Sequence, residues 1–342
     1  MQTTLEVKRS GRRLLWALLV LSFIGVLFAA VLNSGQEAVT IISIFSTRFL
    51  GIFIEAAPFL LLGTLASGLI EAFVTRDDIV RWLPRNALLA TAGGTLMGFA
   101  FPVCECGVVP VARRLFTKGL PMSVGVAFLM AAPVMNPVVL VSTYIAFGTL
   151  SPAVLVGRYV LSAVIATAIG LVFALSARPQ DVLLPQSLAP VMGGSGEAPS
   201  PQRRALVSGL VFALKMASDE FFEMGRFLII GSLLATGMQT LVSQEVLLAL
   251  GKGPVISVLA MQALAFLLSV CSTVDAFLAL AFVGTFTTGS LIAFLTFGPM
   301  VDIKSTLMFA GVFKRRTVIY LVVLPFVMSL LAGVWMNLNL SF

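Results

Sequence analysis

The chain contains no histidine. Proton chemistry is therefore left to carboxylates, and a cysteine nucleophile would lack the base that usually activates it. Charge is scarce as well: 11% of the residues are Asp, Glu, Lys or Arg, against 59% apolar residues. Mean hydropathy is +1.06, which excludes a soluble globular protein. No polar stretch is long enough for a soluble domain. The longest, residues 177–204, is rich in Pro, Gly and Ser and reads as a flexible linker. No G-x-x-x-x-G-K-[ST] motif is present, so the chain has no P-loop for nucleotide hydrolysis. Long alternating runs of apolar and polar residues are missing too, which excludes a β-barrel. Two of the three cysteines are one residue apart, and an odd count with that spacing does not build a disulfide framework. Free thiols are expected.

What is present is a series of apolar runs from residue 14 to residue 335, each long enough to cross a hydrocarbon core, which takes about 20 helical residues. The expected fold is an all-α polytopic membrane protein. The formal charge of +7 comes from Lys and Arg at the ends of apolar runs, where they orient insertion, so nucleic acid is not an expected partner. The N-terminal KRSGRR followed by an apolar run over residues 14–32 reads as an uncleaved first helix with a cytoplasmic N-terminus.

The chain also matches itself. FIEAAPFLLLGTLASGLIEAF, from Phe53, aligns with FFEMGRFLIIGSLLATGMQTL, from Phe221, placing Glu55 on Glu223 and Gly63 on Gly231. Further on, Val103-Cys104 falls on Val270-Cys271, and AAPVMNP around Pro133 falls on FGPMVDI around Pro299. The basic residues distribute best when the runs around FPVCECG and SVCSTVD enter and leave on one side as broken, re-entrant hairpins. That arrangement leaves only Arg48, Arg158 and Lys252 outside and Arg226 and Lys304 within the membrane, the rest of the 22 Lys and Arg lying in the cytoplasm. Each half then has three spanning helices and one hairpin, and the two halves are inverted. The expected divisions are an anchor helix (residues 1–47), repeat 1 (48–176), the linker (177–204) and repeat 2 (205–342).

Inverted hairpins bring their tips to the midplane, so Cys104, Glu105 and Cys106 are expected to approach Cys271, Ser272, Thr273 and Asp275. Irregular backbone at such tips, bounded in the first by Pro102 and Gly107, is tolerated only inside protein or beside a wet cavity. An intramembrane charge costs about 2.5 to 3.5 kcal/mol on the insertion scale and calls for a reason. Glu55, Glu223, Asp275 and Asp302 are candidate carriers of a coupling proton or cation. Arg226 with Glu223, and Lys304 with Asp302, are spaced as local structural ion pairs. Asn136 and Asp302 stand where they can cap the half-helix beyond a proline break. The thiols allow two readings, ordinary small buried residues or soft ligands for a thiophilic solute. Cys104, Glu105, Cys106, Cys271, Thr273 and Asn136 form the candidate substrate site.

FPVCECGVVPVARRL, AAPVMNPVV and GPMVDIKSTLMF, in that order, resemble the bacterial predicted-permease family that includes the organoarsenical efflux permeases. The resemblance covers nearly the whole chain. It implies an inner-membrane permease exporting a small solute such as a trivalent organoarsenical, with Cys104, Cys106 and Cys271 as a transient soft site. The alternative is a channel or transporter of another small anion or metabolite, with the cysteines incidental. No catalytic residue, cofactor or resident metal is expected. The expected partners are a small-molecule substrate, the lipid bilayer and a coupling proton or cation, and a homo-oligomer is compatible with the sequence.

Overall fold

The computed structural model describes residues 36–82, 84, 86–101, 103–176, 182–184, 206–241 and 253–339. The expected first helix (14–32), Pro102, Lys252 and all but three residues of the linker lie outside them. Thirteen helices are described: α1 (Gln36–Phe73), α2 (Arg76–Trp82), α3 (Ala87–Ala100), α4 (Glu105–Thr117), α5 (Met122–Met135), α6 (Pro137–Phe147), α7 (Pro152–Ser176), α8 (Leu206–Leu241), α9 (Ile256–Leu268), α10 (Asp275–Leu280), α11 (Thr288–Met300), α12 (Ile303–Val312) and α13 (Arg315–Asn339). An all-helical solution follows from the lipid environment, where every backbone donor must be satisfied within its own segment. Among the described residues, five segments, α1, α7, α8, α11 with α12, and α13, are long and apolar enough to cross a membrane, and six if the bent pair α5–α6 counts as one span.

Breaks fall where the sequence supplies caps. The α5–α6 pair bends by 41° at Asn136, whose side chain accepts a hydrogen bond from Val138 N, with Pro137 opening α6. Asp302 and Ser305 form a reciprocal capping box at the start of α12. After α9 the chain turns at Ser269, which has a left-handed φ of 48°. A non-glycine residue rarely adopts that conformation, and in strained cases the strain is commonly stored at functional sites.

α5 is buried along its whole length and sits at the centre. α3 and α5 run side by side in one direction, because Gly94 meets Val124 and Gly98 meets Ala132 and Met135. α7 runs the opposite way, with Thr167 bonded to Thr95 at 2.9 Å. α1 and α8 are antiparallel along nearly their full length: Gly68 abuts the Ala213 carbonyl, and Arg48 donates to Gln239 O at 2.5 Å. Contacts of this kind need small residues, since helices in lipid associate by close packing. Outward faces stay apolar and exposed, as at Ile54, Tyr144, Phe222 and Leu331.

Burial extends to charged residues: Arg158, Arg113 and Arg114 are all buried inside the protein. All three are paired with acidic residues on other helices. Arg226 does not pair with Glu223; it is exposed, its guanidinium 4.9 Å from the Phe227 ring centroid.

Candidate functional site: a thiol and carboxylate cluster

α4 begins in the middle of the protein. Cys104 occupies its N-cap without a side-chain capping bond, which leaves the thiol to other partners. Gly107 allows this helix start to lie against α1: a Cβ on Gly63 would collide with the Gly107 backbone, and one on Gly107 would come within 2.8 Å of Phe59 O. The same stretch of chain therefore seats Cys104, Glu105 and Cys106, all three buried.

From the other half, the irregular segment between α9 and α10 delivers Cys271. Its Sγ lies 3.6 Å from Glu105 Oε1, and Cys106, two residues past Cys104 on α4, is buried as well. The ligand atoms of Cys104, Glu105 and Cys271 all lie within 4.8 Å of one another, and all three cysteines are free thiols. Two sulfurs and one carboxylate oxygen make a donor set for a soft cation or metalloid.

Lys304, near the start of α12, closes one side of the cluster. Its Nζ donates to Ser269 O at 2.6 Å and lies 3.5 Å from Asp302 Oδ2 and 3.6 Å from Glu105 Oε1. The left-handed Ser269 thus presents its carbonyl to a buried ammonium, and its hydroxyl accepts from Ile303 N at 3.3 Å. Gly231 makes room, since a Cβ there would stand 3.0 Å from Lys304 Cα. Glu105 Oε2 and, on α1, Glu55 Oε1 are buried without a hydrogen-bond partner among the described residues. Asn136 reaches the cluster through backbone, its Nδ2 donating to Val103 O at 3.5 Å. Thr273 is half-buried in the same break as Cys271.

Two further constellations were not visible from sequence spacing. Arg158 on α7 forms a two-pronged bond with Asp275 at 3.0 and 2.8 Å. On the α1, α4 and α8 interface, Arg113 donates to Glu223 at 2.8 Å, Arg114 Nε is 3.7 Å from the buried Glu220, Lys118 is 3.5 Å from Glu71, and Ser67 donates to Glu220. Glu223, expected beside Glu55 as a relay, is held in this network. A cavity of about 370 Å³ lies elsewhere, lined by Phe147, Ser151, Val154, Thr287, Thr288 and Asn337 among others. It is one helical turn from Arg158 and not at the thiols.

A family described as a predicted permease matches residues 41–338 of the chain. The chain is 45% identical to the UPF0718 protein YcgR of Bacillus subtilis (strain 168) over 83% of its own length and 94% of that protein's. It is 37% identical, over 80% of its length and 88% of the other's, to a Streptococcus mutans protein provisionally described as a two-component membrane permease complex subunit. A shorter match, 34% identical over 23% of each chain, is to the UPF0718 protein YraQ of Escherichia coli (strain K12). No solved structure matches the chain.

Proposed function

The chain belongs to the predicted-permease family, and on that premise we propose that it exports a small thiophilic solute, such as a trivalent organoarsenical, by alternating access. That it is a multi-pass transport protein of the bacterial cytoplasmic membrane, and not an enzyme, follows from the family and its relatives. The finer reading rests on one observation: two thiols from distant segments, Cys104 and Cys271, meet at a buried point beside a carboxylate and an ammonium, with the buried Cys106 two residues from Cys104. Packing alone does not account for that polarity, because ionised groups at such depth are costly. Cys104, Cys106 and Cys271 act in turn as exchangeable soft ligands, so that release competes with binding. Glu105 accepts from the bound solute, while Asn136 and Thr273 shape the break around it.

The same reading divides the chain into an anchor (1–47), inverted repeats (48–176 and 205–342) and a linker (177–204). Supporting it, each half contains a long helix, a pair of short helices with the cysteine-bearing break, a broken span and a second long helix. α4 also links the inner end of α3 to the start of α5, a helix parallel to α3, as a returning hairpin must. Glu55, Asp275 and Asp302 remain the proposed carriers of a proton or cation, with Glu223 acting through its Arg113 partner. The cavity at one end and the ion-pair network at the other suit a carrier open to one side at a time.

Growth of an efflux-deficient bacterium on trivalent methylarsenite tests the proposal. Wild type should restore growth, while Cys104→Ser, Cys106→Ser and Cys271→Ser, expressed to the same level in the membrane, should not. Equal resistance from all three variants removes the thiol reading and leaves a permease for another small solute.

A further inference from the structure

Arg158 is a fully buried guanidinium in an apolar helix, and nothing in the thiol cluster uses it. Its contacts are few and directional. Nη1 and Nη2 hold Asp275, Nη1 also donates to Thr143 Oγ1 at 2.8 Å, and Nη2 donates to Ser272 O at 3.4 Å. Nε has no partner among the described residues, and neither do the buried hydroxyls of Ser162, one turn further along α7, and Ser272. Buried polar atoms are normally satisfied, so three unmet groups around one guanidinium mark a place built for something more than the ion pair.

A cavity lies on the same elements. Val154 lies one turn before Arg158 on α7, Phe147 one turn after Thr143 on α6, and Val283 and Gly284 follow α10, which begins at Asp275; all four line the cavity of about 370 Å³. The elements that hold the ion pair are therefore the ones that wall the cavity. The hydroxyls of Ser151, Thr287 and Thr288 and the amide of Asn337 line it as well, and no ionisable side chain does.

We propose that Arg158 is an anion site, reached from this cavity, which takes a small oxyanion when Asp275 takes up a proton. In one state the guanidinium faces the Asp275 carboxylate. In the other, one proton sits on Asp275 and one anion takes the carboxylate's place on the guanidinium fork, whose planar geometry suits two oxygens of a sulfonate or carboxylate. The site is neutral in both states, as a low-dielectric interior demands. One proton enters for each anion, and no other bond changes. The other ionisable groups acting on Asp275 are Tyr159, beside Arg158 on α7, and Glu105 on α4. α6 presents the uncharged Thr143, and α9 and α11 carry no ionisable side chain. The inference uses none of the cysteines and so goes beyond the thiol reading.

Binding of radiolabelled methanesulfonate to the full-length protein in nanodiscs tests it, since that anion stays ionised throughout. Wild-type affinity should fall about tenfold per pH unit over the range where Asp275 is ionised, the slope that linkage gives for one proton per anion. Asp275→Asn should bind with an affinity flat in pH, and Arg158→Gln should lose at least about tenfold. Because removing one partner can unfold a buried pair, the double variant Arg158→Gln with Asp275→Asn serves as the folded reference. Methanesulfonate binding by that folded double variant at wild-type strength, a pH-independent wild type, or no wild-type binding at any pH overturns the proposal. Methanesulfonate has no thiophilic centre, so its binding reads this site alone and separates failure here from failure of the thiol site.

Discussion

Lys304 of the second half of the chain and Glu105 of the first are a buried ion pair, Nζ to Oε1 at 3.6 Å. A second such pair joins Arg158 of the first half to Asp275 of the second, at 2.8 Å. Each cysteine-bearing break is thus tied to a cation contributed by the opposite half. A carrier whose halves rock against each other has to loosen such ties in turn, which makes their strength a property of the transport cycle as well as of the fold.

Removing Lys304 alone leaves Glu105 and Asp302 buried without their cation. Lys304→Gln should therefore cost about 3 to 5 kcal/mol, the range for breaking one side of a buried pair. The double variant with Glu105→Gln should recover a large part of that. Thermal melting of detergent-purified protein reads the cycle, and additivity of the two single changes would show that the pair is not coupled.

Glu220 is fully buried between Ser67, Arg113 and Arg114, whereas the Glu223 side chain is 26% exposed. Glu220→Gln should lower the melting temperature markedly and Glu223→Gln only slightly, because solvent screens the second pair. Equal shifts would mean that the α1, α4 and α8 network works as a surface feature.

Gly63 lies against the Gly107 backbone, while Gly51, one helical stretch earlier, has open space where a side chain would go. Gly63→Val should displace α4 and with it Cys104, reducing both folded yield and transport; Gly51→Val should do neither. Fluorescence-detected size exclusion followed by vesicle transport distinguishes the two.

How much of this was legible in the sequence depends on how local the signal is. The breaks at Asn136 and Asp302 could be read because a cap and its proline or serine partner sit within a few residues. The approach of Cys104 to Cys271 left a trace through the matched positions of the two halves. Arg158 left a weaker one: it interrupts an apolar run at PAVLVGRYVL, yet its partner is 117 positions away, and spacing within a helix says nothing about such a partner. Glu223 shows the limit from the other side. Its neighbour Arg226 has the spacing of a helical pair, a contact worth only about 0.2 to 0.5 kcal/mol, and Glu223 instead meets Arg113 from another helix. Glu220, beside it in the same acidic stretch, gave no local sign that it alone would be buried completely.

Cross-linking checks the cluster's geometry without reference to transport. With a protease site placed in residues 185–200, mild oxidation should join the two halves through Cys104 and Cys271, whose sulfurs lie within 4.8 Å. Cys104→Ser should abolish the link. Halves that separate fully after oxidation and cleavage of otherwise wild-type protein would show that the two breaks do not meet in the membrane.

X-ray absorption at the arsenic edge of purified protein loaded with trivalent methylarsenite tests most directly whether thiols bind the transported solute. The expected spectrum is arsenic bonded to two or three sulfurs, with sulfur contacts falling in each single cysteine-to-serine variant. Arsenic bonded to oxygen alone, in protein that still transports the compound, would contradict it.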